Sequence, residues 1–454
     1  MKVQKHPANF FYHLSPARML LLFYFIALLA STFILSLPFA YKTGELEPFI
    51  DRLFMAVSAL SVTGLSTFSI SDTFSFTGLI FLTIILHLGL LGVMSISTMI
   101  LILFGRRIGI SERRLIMQDQ NLYNYGGMVQ LIKQIVIIVF SVELIMIVVL
   151  GTYFLSYFPT AKEAFFQAYF HTISSLSNGG FALENDSLIP YAHDYILQLM
   201  TMFLIIVGAI GFPVLVELKT FITMPKVKRR TFRFSLYTKL TTTTFFMLLV
   251  AGALLLYLFD MEQFFKGKAW HEVLFLTLFQ STTTRSAGLS TMDVSLLSDA
   301  NQLVMSILMF IGASPSSAGG GIRTTTFALV IIFIITYARG GKRVKVFHRE
   351  VYEDDLMKAV TVTLLATMMF VFGVLLVTFV EPFPLQAVIF EVASAFGTVG
   401  LSQGITPYLT TFSKIILMIF MFIGRIGLVT FLLTFRDETT PTTIRYPKER
   451  IMIG

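Results

Sequence analysis

Four short stretches of this chain share a spacing that suits cation chemistry better than acid–base or nucleophilic chemistry. They align without gaps as residues 58–66, 174–182, 282–290 and 394–402, here numbered strips 1 to 4. Each carries a glycine at one fixed place (Gly64, Gly180, Gly288, Gly400), and these glycines are 116, 108 and 112 residues apart. A hydroxyl residue sits six positions earlier, and a large apolar residue then a small one follow. One such strip is a weak signal. Four at near-equal spacing are a strong one. The position before each glycine holds Thr63, Gly179, Ala287 and Val399, which share no side-chain ligand. What they share is the backbone carbonyl. Four extended strips around one axis would present rings of carbonyl oxygens, which replace the hydration shell of an alkali cation. Glycine permits the angles that aim successive carbonyls inward. The residues expected to line the axis are Val62, Thr63 and Gly64; Asn178, Gly179 and Gly180; Ser286, Ala287 and Gly288; and Thr398, Val399 and Gly400. The competing reading is four structural turns with no ion.

A second constellation lies within the apolar run 302–338. Its 37 residues would make a helix about 55 Å long at ~1.5 Å per residue, against a hydrocarbon core of about 30 Å. It contains Gly312, Pro315, Ser316, Ser317, Gly319, Gly320 and Gly321 within ten small residues. In a helix interior each glycine costs ~1 kcal/mol and proline ~3, so a break is expected, either as a passive kink or as a movable segment. Arg425 stands inside the last apolar run, where arginine costs ~2.5–3.5 kcal/mol on insertion scales. It is 11 residues from Arg436, about 16 Å, too far to snorkel, so it is expected to face a pore. Arg323 follows the broken stretch, with a pore role and a surface role both open. Arg285, beside strip 3, is expected to brace it unless it lies at the surface.

These residues need scaffolding, and the sequence offers it. Apolar runs occupy about 17–40, 78–104, 129–157, 195–222, 236–259, 302–338, 357–380 and 408–435, each above the ~20 residues that cross a bilayer. Between the members of each pair lies an apolar segment too short to cross, at 48–61, 161–177, 269–284 and 384–396. Each suits a re-entrant helix, and each leads into a strip. The expected fold is an all-α polytopic membrane protein: four span–pore helix–span repeats, giving eight transmembrane helices and four re-entrant helices around one pore. The repeats fall at 17–104, 129–222, 236–338 and 357–435, between an N-terminus at 1–16 and a C-terminus at 436–454.

Composition agrees. Over 454 residues only 13% are charged, 55% are hydrophobic, and mean hydropathy is +0.79. Soluble chains carry about 25% charged residues. There are no cysteines, which excludes thiolate chemistry and disulfides. No H-E-x-x-H and no G-x-x-x-x-G-K is present, so neither that zinc site nor a nucleotide site of that type is expected. Lys and Arg number 23 on the side of the termini and 6 on the other, which places both termini in the cytoplasm. The net charge of +8 is then read as topology, not nucleic-acid binding. The opposite loops carry Glu45, Glu47, Asp51, Glu184, Asp186 and Asp194, which argues against an anion pore.

With its four span–loop–span units and one glycine in each, the chain resembles the Ktr/Trk/HKT superfamily of potassium transporters over residues 17–454, and most nearly the bacterial KtrB-type membrane subunit. The run Thr283 to Gly288 and the ending Lys448 to Gly454 carry that closer likeness. The resemblance implies K+ as the transported ion, with Gly64, Gly180, Gly288 and Gly400 as filter glycines and Na+ as a possible coupled ion. It implies that 312–321 is an intramembrane gate loop. It further implies a homodimer in the cell membrane, bound to a cytoplasmic nucleotide-binding ring of the KtrA type, with membrane lipid and no nucleic acid as other partners. Only Thr398-Val399-Gly400 keeps the T-V-G of the potassium-channel filter T-V-G-Y-G, so a sodium-selective or non-selective cation channel of the same fold is the alternative.

Overall fold

In the computed structural model the described residues are 15–92, 95, 127–434, 447, 449 and 451–452. The two termini, the end of the second apolar run and the basic segment 105–126 lie outside them, and so does most of the Lys448 to Gly454 ending.

Four helices are long and apolar enough to cross a bilayer: Pro16–Leu35, Met128–Phe154, Leu236–Asp260 and Glu353–Val380. Their exposed faces carry Phe33, Leu144, Met247 and Phe379. Such faces suit hydrocarbon, where backbone polar groups must be satisfied inside the helix itself. Side-chain caps fix several starts. Ser15 accepts from the Arg18 N–H, and Ser235 from that of Thr238.

Each of these helices is followed by a short one: Phe49–Leu60, Ala161–Ser177, Trp270–Thr283 and Leu385–Phe396. Their bounds fall within one residue of the apolar segments read from sequence. Pro48 and Pro384 occupy the N-cap positions of the first and last, and Thr160 caps the second through the Glu163 N–H.

The helices after the strips differ from the sequence expectation. Only the run 302–338 was expected to break, and it does, into Asp299–Ile311 and Thr324–Ala338. The runs 195–222 and 408–435 break as well. Tyr195–Ala209 and Phe212–Thr223 meet at 105°, and Thr411–Ile426 and Leu428–Thr434 at 98°. By length and composition the described residues hold four spans, or up to six if each bent pair is one. Phe76–Leu91 likewise stops at a glycine, Gly92. The four stopping glycines, Gly92, Gly211, Gly312 and Gly427, all have positive φ, of 81°, 100°, 73° and 90°. Only glycine adopts such angles freely. An apolar run continues straight across a glycine, so hydropathy alone hides the breaks at Gly211 and Gly427. The departures from helical structure among the described residues include a small antiparallel hairpin, Lys345–Val346 with Arg349–Glu350, and an isolated antiparallel bridge between Tyr41 and Phe74.

Candidate functional site

The four short helices deliver their strips to one place. A Cβ built on Gly64 would lie 2.9 Å from the Gly180 Cα. One on Gly180 would lie 3.2 Å from Gly288 Cα, one on Gly288 3.1 Å from Gly400 Cα, and one on Gly400 3.0 Å from Gly64 Cα. The glycines therefore form a closed ring. No side chain fits within it.

The strips share a backbone conformation that the sequence did not disclose. Two residues before each glycine the chain is left-handed, with φ of 56° at Val62, 58° at Asn178, 85° at Ser286 and 48° at Thr398. It is left-handed again at Gly64, Gly180, Gly288 and Gly400, but not at the residue between. In an extended strand successive peptide groups face opposite ways. Alternating handedness turns them toward the same side, as in backbone nests. For β-branched Val62 and Thr398 this angle is rare and costs on the order of 1–3 kcal/mol. The four intervening residues, Thr63, Gly179, Ala287 and Val399, are buried. Their carbonyl oxygens lie against the neighbouring glycines, those of Gly179 and Ala287 facing Gly64 and Gly180. Those of Val399 and Thr63 face Gly288 and Gly400 in the same way. None of the four accepts a hydrogen bond among the described residues. Buried carbonyls are ordinarily paired, so a ring of four unpaired ones is an electronegative centre built into the fold.

Hydroxyls hold the strips in place. Ser58 and Ser394 accept from the N–H groups of Gly64 and Gly400 at 3.1 and 3.0 Å. Ser174 donates to the Phe181 carbonyl at 2.6 Å. These are the hydroxyls six positions before the glycine. Thr282 departs from the pattern and donates instead to Leu278 within its own helix. Glu391, for which sequence reasoning found no role, accepts from the Gln403 N–H at 3.0 Å and the Thr406 hydroxyl at 2.9 Å. It braces the chain leaving strip 4. A carboxylate twelve residues from the N–H it holds leaves no periodic trace in a sequence.

Beneath strips 3 and 4 lies the loop 312–323. All of it is buried except Pro315 and Arg323, which are partly so. Its small residues offer little apolar packing to anchor it. It is in fact tied by polar contacts on every side. Ala318 N–H donates to Gly208 at 3.0 Å, Ser314 N–H to Ala209 at 3.1 Å, and Phe212 N–H to the Ser316 carbonyl at 2.7 Å. The Tyr237 hydroxyl donates to Pro315 at 2.6 Å. Arg425 donates to the carbonyls of Ser317 and Ala318, and with its other nitrogen to Gly89 and Leu90. Arg323 donates to Ser314 at 3.3 Å and to Gly319. Arg425 therefore ties the loop to the end of the helix Phe76–Leu91, and Arg323 braces it from within. Arg285 is fully buried and reaches the Gly312 carbonyl at 3.5 Å, at the start of the loop.

A family profile described as TrkH, cation transport protein, matches residues 23–442. The Ktr system potassium uptake protein D of Bacillus subtilis is 48% identical, over 97% of this chain and 98% of its own length. The Ktr system potassium uptake protein B of the same organism is 33% identical, over the full length of both. Among solved structures, the potassium transporter TrkH from Vibrio parahaemolyticus matches with a TM-score of 0.67. That match covers 93% of this chain and 85% of the other at 18% identity, and so bears on the fold alone.

Proposed function

The chain belongs to the TrkH family of cation transport proteins, and on that premise we propose that it carries potassium across the cell membrane through the ring of strips 1 to 4. The observation that carries this reading is the closed ring of four left-handed glycines with four unpaired carbonyls beside them. Carbonyl rings replace the water around a dehydrated alkali cation. The membrane potential supplies the drive, ~2.3 kcal/mol per charge per 100 mV. Two relatives described as potassium uptake proteins favour potassium as the ion.

Loop 312–323 is the gate in this reading. It lies under the strips, and Arg425 adds a positive charge to the path below them. Both termini are cytoplasmic, on the strength of the 23 basic residues on their side. The pore is complete within one chain, and two chains associate as a dimer. The basic segments 226–233 and 339–349, with Glu353, Asp354 and Asp355, receive a cytoplasmic nucleotide-binding ring that sets the loop position. Sodium is a possible second ion.

The test is rubidium or potassium uptake into liposomes that hold only this purified chain, with sodium as competitor. Uptake with potassium preferred supports the reading. Equal transport of sodium gives the non-selective alternative, and no cation flux refutes both.

A further inference from the structure

In strips 1, 2 and 4 the left-handed residue before the glycine packs against a helix. A Cβ on Gly89 would strike Val62, one on Gly208 would meet Asn178 at 2.8 Å, and one on Gly424 would meet Thr398 at 3.3 Å. Gly89, Gly208 and Gly424 all sit in regular helix. Strip 3 differs. Its left-handed residue, Ser286, packs against Gly319 in the loop, where an added Cβ would lie 2.5 Å from the Ser286 oxygen.

The Ser286 hydroxyl has one proton and four polar neighbours, the Thr398 hydroxyl at 3.1 Å among them. It accepts from the Gly320 N–H at 3.2 Å. It lies 2.7 Å from the Thr398 carbonyl and 2.9 Å from that of Gly397, and donates to this pair. It is fully buried. One oxygen thus joins the loop to strips 3 and 4 at once. Gly320 is pressed on Thr398 as well, since a Cβ there would lie 2.6 Å from the Thr398 hydroxyl.

We propose that Ser286 is a specificity-determining residue, latching the loop to strip 4 so that loop position sets the width of the carbonyl ring. This rests on the filter reading above. When the loop withdraws, Ser286 loses its Gly320 partner and its packing against Gly319. The hydroxyl then holds the left-handed turn at Thr398 less firmly, and that turn is already strained at φ 48°. Strips 1 and 2 keep their helix supports and do not respond. Opening therefore changes which ion passes, as well as how fast.

The experiment compares wild type with Ser286→Ala and Ser286→Gly, both lacking the hydroxyl. Glycine also relieves the backbone at φ 85°, so this variant keeps the test available if alanine fails to fold. Purified proteins go into liposomes, and rubidium uptake is measured against rising sodium. A lost hydrogen bond of about 1 kcal/mol corresponds to about a fivefold shift in ion preference. The expected result is a loss of potassium preference of about that size in both variants. A role confined to stability would lower the melting temperature and leave the preference alone, which would overturn the proposal. Gly400→Ser serves as the control. If it shifts the preference while the Ser286 variants do not, the latch is wrong and the filter stands. If no variant shifts it, the filter reading falls too.

Discussion

Arg425 offers the sharpest handle on the loop. Its side chain bridges two structures: the loop, through Ser317 and Ala318, and the end of the helix Phe76–Leu91, through Gly89 and Leu90. The Ser317 and Leu90 contacts are long, at 3.5 and 3.4 Å. Of the Arg425 contacts to the loop, the one to Ala318 is therefore the stronger. Hydrogen bonds to charged groups contribute ~1.5–3 kcal/mol each. Arg425→Ala removes that much from the loop's present position and shifts its equilibrium toward release about ten- to hundredfold. The bonds that join the loop to Gly208, Ala209, Phe212 and Tyr237 remain, so the loop is loosened but not freed. Tracer uptake per monodisperse molecule should rise by up to that factor, until the loop no longer limits flux. Arg425→Lys separates two causes. Lysine keeps the charge but cannot span two carbonyl pairs with a planar fork. If the bridge matters, lysine behaves as alanine does. If the charge alone blocks the path, lysine restores wild-type flux. A folded Arg425→Ala protein with unchanged flux would refute both.

Other outcomes follow from the same geometry. Gly288→Ala forces a methyl onto the Val399 carbonyl at a φ of 74°, and should abolish most uptake in a protein that still purifies as folded material; full activity would remove Gly288 from the path. Deleting Ser316 to Gly320 should raise flux and, because Gly319 and Gly320 touch strips 3 and 4, also weaken potassium preference; competition by sodium reads this directly. At Asp194, burial favours the neutral carboxyl, but donation from Tyr157, Leu197 and Tyr153 outweighs it and holds the group below the usual aspartate value. A depressed carboxyl contributes stability above its unfolded value of ~3.9, and that contribution is lost as pH falls through the folded one. Tyr157→Phe should lower the melting temperature at neutral pH, and the difference from wild type should vanish in strong acid; a constant difference would count against this role for Asp194.

Most of the site could be read from the chain because its parts are local. The hydroxyl, the glycine and the apolar residue of each strip lie within nine residues, so alignment alone exposes them. The short helices end where glycine and polar residues interrupt an apolar run, and those ends were placed to within a residue. Gly312 to Gly321 declares its break through composition. Gly427 breaks a helix with a single residue inside unbroken hydropathy, and at Gly211 only Pro213 adds to the signal. The signal was there in the shared G-x-x-G of Gly89 to Gly92, Gly208 to Gly211 and Gly424 to Gly427, where the first glycine lets the helix sit against a strip. Contacts between distant segments left no such mark. Arg425 was expected at the pore, but its partners at Gly89 and Ala318 depend on the fold. The same holds for His87, which meets Glu143 at 3.0 Å.

The ring of glycines also fixes an order of assembly. Gly64 borders Gly400, and the Arg18 side chain donates to the Thr434 carbonyl at 3.0 Å across 416 positions. The first strip therefore cannot gain its second neighbour until the last helices are made. At about 5–20 residues per second, roughly 20 to 70 seconds separate synthesis of Gly64 from that of Gly400. Over the last 112 residues of it, from Gly288 to Gly400 and roughly 6 to 22 seconds at that rate, three strips stand as an open arc with unpaired carbonyls along its edge. Closure of such distant contacts is slow. A nascent chain halted before residue 394 would lack the fourth strip and keep the arc open.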